Sequence, residues 1–302
     1  MPAYTGAFSH LLAPGLRKVW LDELKQWPEE YSKLLNIQTS KRAYEEELMM
    51  AGLGRWDEKP EGHATVYDDP IMGNKKRFTH ASFSLGFRVS REMWSDDLYG
   101  VMKKMSGQLA MAGKQTVEVE ASNVFNEAFS TTRPNLLGAD GLALCSTAHP
   151  LIIGGTYANR PAADVDFGIT PLRAMLENRE ALVDERGLPA MLGSKTVLIG
   201  PANQWAAKEI LRSQQAAYTT DNEINAFRDL ELEFFVYHYG DDADAWFLLA
   251  PKGKHGLNFI WREKPTFENS DDFDTGDAKF KGFMRFSYGH TDWRGVDGSS
   301  GG

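Results

Sequence analysis

The stretch from about residue 92 to residue 128 constrains the fold more than any other part of the chain. Leu98, Met102, Met105, Leu109, Ala112, Thr116 and Val119 recur at three- and four-residue spacing, and the pattern resumes out of phase at Val124 and Ala128. That is the apolar stripe of an amphipathic helix. Ser90 or Ser95 can cap it, and Asp96 and Asp97 complement the positive end of its dipole. At ~1.5 Å per residue the run predicts a rod of roughly 50 Å, longer than most globular domains need. It suits a spine crossing an extended molecule.

Upstream, residues 1–40 carry scattered apolar anchors (Phe8, Leu11, Leu12, Trp20, Leu24, Trp27) among Pro14, Gly15 and Pro28. A short helix near 16–26 and an arm, with no compact unit of its own, are expected. From Arg42 to Val89 the chain is polar and broken by turn chemistry at Lys59-Pro60-Glu61-Gly62, Asp68-Asp69-Pro70 and Gly73-Asn74. Phe83, Leu85, Phe87 and Val89 then alternate with Ser84, Gly86 and Arg88, which predicts a strand with one apolar face. Together with His63-Ala64-Thr65-Val66-Tyr67 it suggests a long two-stranded hairpin. A two-stranded hairpin is marginal alone in water, so this one is expected to lie on its own domain or on a neighbouring chain.

Downstream, residues 130–168 read as irregular. Thr170-Pro171 opens a second helix stopped by Gly187; Thr196–Ile199 is a buried strand, and Trp205 to Gln214 a helix after the turn at Gly200-Pro201. Residues 232–237 and 245–249 add two strands, giving a compact α/β region. A last strand from Phe280 to Tyr288 precedes a flexible Gly-Ser tail.

Of the 302 residues, 42% are hydrophobic, enough for one large core or two modest ones. The formal charge of -9 carries no basic footprint for tight, general DNA binding. A single cysteine, Cys145, fits synthesis in a reducing cytoplasm. The N-terminus lacks a basic start with an apolar run, and no segment approaches the roughly 18 apolar residues of a membrane span. Neither secretion nor membrane insertion is expected.

Candidate chemistry is sparse, and no catalytic residue, metal ligand or cofactor site is assigned. Cys145 and His149 have a spacing that could supply two zinc ligands, but no second pair lies near to complete four-coordination. A lone cysteine is more often a small buried apolar group. No orienting residue supports a thiol nucleophile. Asp272-Phe273-Asp274-Thr275-Gly276-Asp277 lacks the glycine spacing and closing glutamate of a calcium loop and reads as a solvated linker. Gly154-Gly155 is not a phosphate-binding fingerprint, and no Gly-x-Ser-x-Gly elbow is present.

Three blocks carry a resemblance. Phe83-Ser84-Leu85-Gly86-Phe87-Arg88-Val89-Ser90-Arg91-Glu92-Met93, running through the helix to Asn123, Asn126 and Phe129, resembles Mu-like major head subunits of tailed bacteriophages. Asp140-Gly141-Leu142-Ala143-Leu144-Cys145-Ser146-Thr147-Ala148-His149-Pro150, then Gly154-Gly155-Thr156-Tyr157-Ala158-Asn159-Arg160-Pro161, is similar to a second pattern of that family. Gly289-His290-Thr291-Asp292-Trp293-Arg294-Gly295 resembles the end of many tailed-phage major capsid proteins.

The resemblance implies an α+β tailed-phage major capsid fold: N-terminal arm (1–40), extended-loop hairpin (41–90), peripheral domain (91–168 and 265–302) with spine helix 91–128, and axial domain (169–264). It implies a structural protein, not an enzyme, that assembles with itself into hexamers and pentamers closing an icosahedral shell around packaged dsDNA. The expected place is the virion, assembled in the bacterial host cytoplasm. Implied partners are a separate scaffolding protein, forty residues being too few for a fused one, a portal protein and an optional decoration protein; DNA is enclosed without sequence-specific binding, and no membrane is involved. Trp56, Tyr67, Arg77, Phe78 and Arg88 are the candidate assembly contacts. Lys75 and Lys76 lie where some relatives cross-link, but no acceptor context accompanies them and no cross-link is expected. The rival readings are an encapsulin-type nanocompartment shell and a soluble α/β enzyme using residues 169–260.

Overall fold

Alternation along two short buried strands organises one of the two four-stranded sheets. In β7 (Thr196–Ile199) and β9 (Trp246–Leu249), Val197, Ile199, Trp246 and Leu248 enter one core, while Leu198, Phe247 and Leu249 enter another. Successive side chains point to opposite faces, so a run apolar at every position needs cover on both sides. The sheet has the order β12-β9-β7-β8, with β8 (Glu233–Val236) parallel to β7, and β9 and β12 (Val296–Ser299) antiparallel. One face is covered by α5 (Ile169–Glu180) and α6 (Gln204–Arg212) through Leu172, Met175, Ala207 and Ile210.

The computed structural model describes residues 9–26, 28–96, 100–152, 154–215, 224–272 and 274–302. A second sheet has the order β1-β10-β11-β4. Its centre is a long antiparallel pair, β10 (Leu257–Asp271) and β11 (Ala278–His290), flanked by β1 (Asn36–Thr39), parallel to β10, and by β4 (Ala81–Val89), antiparallel to β11. Helix α4 (Val101–Asn126) buries Val117, Ala121, Val124 and Phe125 in the core shared with Phe259 and Phe286 of this sheet and with Phe247. Its first half, with Met102 and Leu109, packs on Leu16 and Trp20 of α1 (Ser9–Gln26), in a separate core with Phe267 and Phe280.

The predicted spine is shorter than its periodicity suggests. Ser90 does cap a helix, its side chain accepting from the Met93 amide, but that helix, α3 (Arg91–Ser95), is one turn. Gly100 then takes φ 67°, a left-handed conformation that starts α4 afresh. Asp97 and Leu98 lie outside the described residues, as do Phe8 and Trp27. Helix α5 ends at Glu180 and not near Gly187, because residues 183 and 189 pair across a turn.

The hairpin also differs from expectation. Its strands are β2 (Tyr44–Ala51) and β3 (Ile71–Thr79), whereas residues 63–67 form no strand and β4 belongs to the second sheet. The boundary expected at 264/265 falls inside β10, and residues 296–299, expected in the peripheral part, pair with β9. The Gly-Ser tail is accordingly not free: Ser299 is fully buried and its hydroxyl donates to the Val165 carbonyl at 2.8 Å.

Candidate assembly surface

Between β2 and β3 the chain runs through residues 52–70 without regular structure beyond one turn, nearly all of it exposed. Arg186 reaches the base of this loop. Asp184 accepts hydrogen bonds from the amides of Arg186 (2.8 Å) and Leu188 (2.9 Å), closing a turn after α5 that presents Arg186. The Arg186 guanidinium donates to the carbonyls of Gly52 (2.8 Å) and Asp69 (2.5 Å) and pairs with the Asp68 carboxylate at 2.8 Å. The Gly54 amide is the leading cause holding the Asp68 carboxyl below its ordinary range, with Arg186 adding to it.

The candidate contacts divide on this scaffold. Trp56 and Tyr67 sit on the loop, each 93% exposed. Arg77 lies on the hairpin with its guanidinium 3.6 Å from the centre of the Tyr44 ring. Arg88 is on β4, largely exposed and 3.4 Å from Asp277. Phe78 is a correction: at 2% exposure it packs inside the subunit, near Gly289, so it is not a surface anchor. Its neighbour Lys76 is buried too, its ammonium donating to the carbonyls of Asn135 (2.8 Å) and Leu137 (2.5 Å). Burial lowers the Lys76 pKa. These bonds fasten the hairpin base to the loop after α4.

The second and third resembling blocks meet in space. The His149 ring bonds to Asp140 Oδ2 at 2.6 Å and to Asn159 Oδ1 at 3.1 Å. Asn159 donates to the carbonyls of Leu144 (2.7 Å) and Val296 (2.8 Å). Burial pushes the Asp140 carboxyl up, but the bonds from His149 and the Leu142 amide outweigh it and leave it lowered. Cys145 is wholly enclosed, and burial pushes its thiol well up, the opposite of an activated nucleophile. Its sulfur lies where a Cβ on Gly298 would approach to 3.0 Å, so the bare glycine lets β12 close over it. Among the described residues, no group of three or more His, Cys, Asp or Glu side chains is placed to hold a metal. The acidic run is engaged in pairs, Asp272 with Lys279 (2.6 Å) and Asp277 with Arg88. No described helix is long and apolar enough to cross a membrane.

Sequence reasoning missed Arg186 and the buried pairs Arg179 with Asp297 and Arg294 with Glu185. The Asp184-x-Arg186-Gly187 turn was the available signal for the first; the partners of the others are distant in sequence and left none.

A family model described as phage capsid protein matches residues 74–296. No curated protein sequence matches. Among solved structures, the chain is similar to the procapsid of bacteriophage JBD30 (16% identity, TM-score 0.54, covering 98% of this chain and 76% of that one). It is also similar to the capsid of the native GTA particle (9%, 0.57, 90% of each). A third is the virus-like particle from Pyrococcus furiosus (9%, 0.54, 95% and 98%). The fold shared with these particles is the tailed-phage capsid fold.

Proposed function

The chain belongs to the phage capsid protein family and is a shell-forming major capsid protein, and from that premise we propose that its copies form hexamers and pentamers that close an icosahedral shell around packaged double-stranded DNA. The observation carrying this reading is the loop 52–70. Its base is pinned by Arg186 while Trp56 and Tyr67 stand in solvent. Large aromatics displayed on a held segment are the side chains that dominate protein interfaces once buried by a partner. Trp56, Tyr67, Arg77 and Arg88 are accordingly the assembly contacts in this proposal.

In the same reading residues 1–40 act as the arm, 41–90 as the extended loop, and the sheet of β7, β8, β9 and β12 with α5 and α6 lies at the capsomer centre. The Mu-like branch is favoured by the three sequence blocks, two of which pack together around His149. Assembly in the host cytoplasm, with scaffolding, portal and decoration proteins as partners, completes the proposal. An enzyme-packing nanocompartment of the same fold is the weaker reading, because the family match is to phage capsid proteins.

Electron microscopy of the expressed protein after gradient sedimentation, with and without a co-expressed scaffolding protein, tests this. Closed shells or capsomer rings are expected. A persistent monomer under both conditions would defeat it.

A further inference from the structure

We propose that Arg262, Arg285, His80 and Ser82 form a binding site for a phosphate-type oxyanion on the face of the β1-β10-β11-β4 sheet opposite α4. The site is complete within one chain and does not depend on the shell-forming reading.

The backbone brings these side chains together. Met284 and Phe286 of β11 enter the core shared with α4, so Arg285 and Ser287 face the other way. Arg285 pairs with Ser82 of β4, which sets the two side by side on that face. One step along, the His80 ring bonds through Nδ1 to the Ser287 hydroxyl at 3.0 Å. On β10, Trp261 pairs with Phe286 and Glu263 with Arg285, so Arg262 is the extra residue of a bulge. A bulge re-aims a side chain, and this one adds a second guanidinium to the group. Burial chiefly, and then the charges of Arg285 and Arg262, lower the His80 pKa, while Glu45 acts the other way. Both arginines therefore lie close to this ring.

Donors are left over. Among the described residues, His80 Nε2, Arg262 Nε and Arg285 Nε are buried with no hydrogen-bond partner. His80 as a whole is only 7% exposed. The nearby acids are engaged elsewhere: Glu45 with the Ser40 hydroxyl at 2.6 Å and with Arg42 at 3.6 Å, and Glu47 with Asn258 at 2.8 Å and with Thr291. Glu263, beside Arg262, pairs with neither arginine.

The chemistry of the group selects the ligand. A guanidinium donates and never accepts, and its planar fork matches two oxygens of one anion. A Ser287 hydroxyl donating to Nδ1 leaves the ring proton of His80 on Nε2, a further donor, and Ser82 adds an exposed hydroxyl. Two full positive charges suit a phosphate dianion better than the single charge of a carboxylate. Arg262 and Arg285 are half-buried, shielded enough to strengthen the attraction and open enough for a free ion to enter. The ligand would join β10, β11 and β4 where β3 passes into β4 through His80, so its binding stabilises the folded chain.

Isothermal titration calorimetry of the full chain with inorganic phosphate, at constant ionic strength set with chloride, tests this. Saturable binding is expected, and the unfolding midpoint should rise as phosphate is added. Arg262→Gln and Arg285→Gln should each weaken binding about tenfold, and Arg173→Gln, on the exposed side of α5, should bind like the parent. A second measurement needs no variant: in the parent labelled at its histidine rings, phosphate should shift the His80 resonances. No saturable binding by the parent, parent-like binding by both site variants, an unmoved His80 signal, or acetate binding as tightly as phosphate would each overturn the assignment. The shell reading would stand in every one of these cases.

Discussion

The imidazole of His149 lies flat on the indole of Trp293, ring centroids 4.3 Å apart and planes within 9° of parallel. Tyr157 stacks on the same indole at 5.4 Å. Residues 140–161 and 289–296 are therefore one structural unit, although more than a hundred residues separate them in the chain. Trp293→Ala removes the shared surface and leaves a cavity, which in a buried aromatic costs about 3–5 kcal/mol. Denaturant unfolding of the unassembled subunit measures it, and a loss under about 1 kcal/mol would show that the two segments do not depend on each other.

Arg179 and Asp297 tie α5 to β12. Both are buried, Arg179 Nε donates to Asp297 Oδ2 at 2.5 Å, and Arg179 also donates to the Leu248 carbonyl at 2.6 Å. Removing one partner of such a pair strands the other charge, at about 3–5 kcal/mol; replacing both by apolar groups of similar volume is far milder. Asp297→Leu should therefore destabilise strongly, and Arg179→Met with Asp297→Leu should recover most of the loss. A double variant less stable than either single one would show that the Leu248 bond, not the ion pair, holds this junction.

The buried strands β7 and β9 were legible because their apolar runs have one physical explanation. The hairpin was not. Tyr44-Glu45-Glu46-Glu47 offers no apolar alternation, and Gly73-Asn74-Lys75-Lys76 carries turn chemistry, yet both segments are strands of a ribbon solvated on much of its surface. There, backbone pairing decides and side-chain pattern says little. The helix over-read has a similar origin. Apolar spacing continues across residues 95–101, but a single left-handed glycine outweighs it. Of the site, the exposed aromatics were visible in the sequence, whereas the Arg186 clamp depends on a contact across more than a hundred residues.

Two buried histidines set an acid limit. Burial is the leading cause that lowers His255 to about 4 and His290 to about 3, against an ordinary value of about 6.5. Below pH 6.5 the unfolded chain takes up protons that the folded chain refuses. The stability these groups contribute is therefore present above that pH and is lost as pH falls through 6.5 towards 4 and 3. Each adds a slope of up to about 1.4 kcal/mol per pH unit in its window. Glu118 opposes them, since burial raises its pKa and makes its charge unfavourable at higher pH. Subunit stability should fall between pH 6.5 and 4, and His290→Asn should flatten the fall; an unchanged slope would show that His290 is not the proton acceptor.

Arg186 gives the last test, because it separates holding the loop from folding the subunit. Its three bonds all go to the loop base, at Gly52, Asp68 and Asp69. The turn that presents it is closed by Asp184 through backbone amides that Arg186→Ala keeps. The variant should therefore unfold within about 1 kcal/mol of the parent, as expected for a change away from the core. Residues 52–70, released at the base, should open more readily, and local opening is what a protease samples. Limited proteolysis should cut the loop about tenfold faster while the rest of the chain stays resistant, and shell yield should drop with it. Deleting residues 55–66 should give the same soluble, fully folded and shell-incompetent subunit. If Arg186→Ala is cut no faster than the parent, the loop is held by something other than this guanidinium; if the deletion still closes shells, the loop is not the assembly contact.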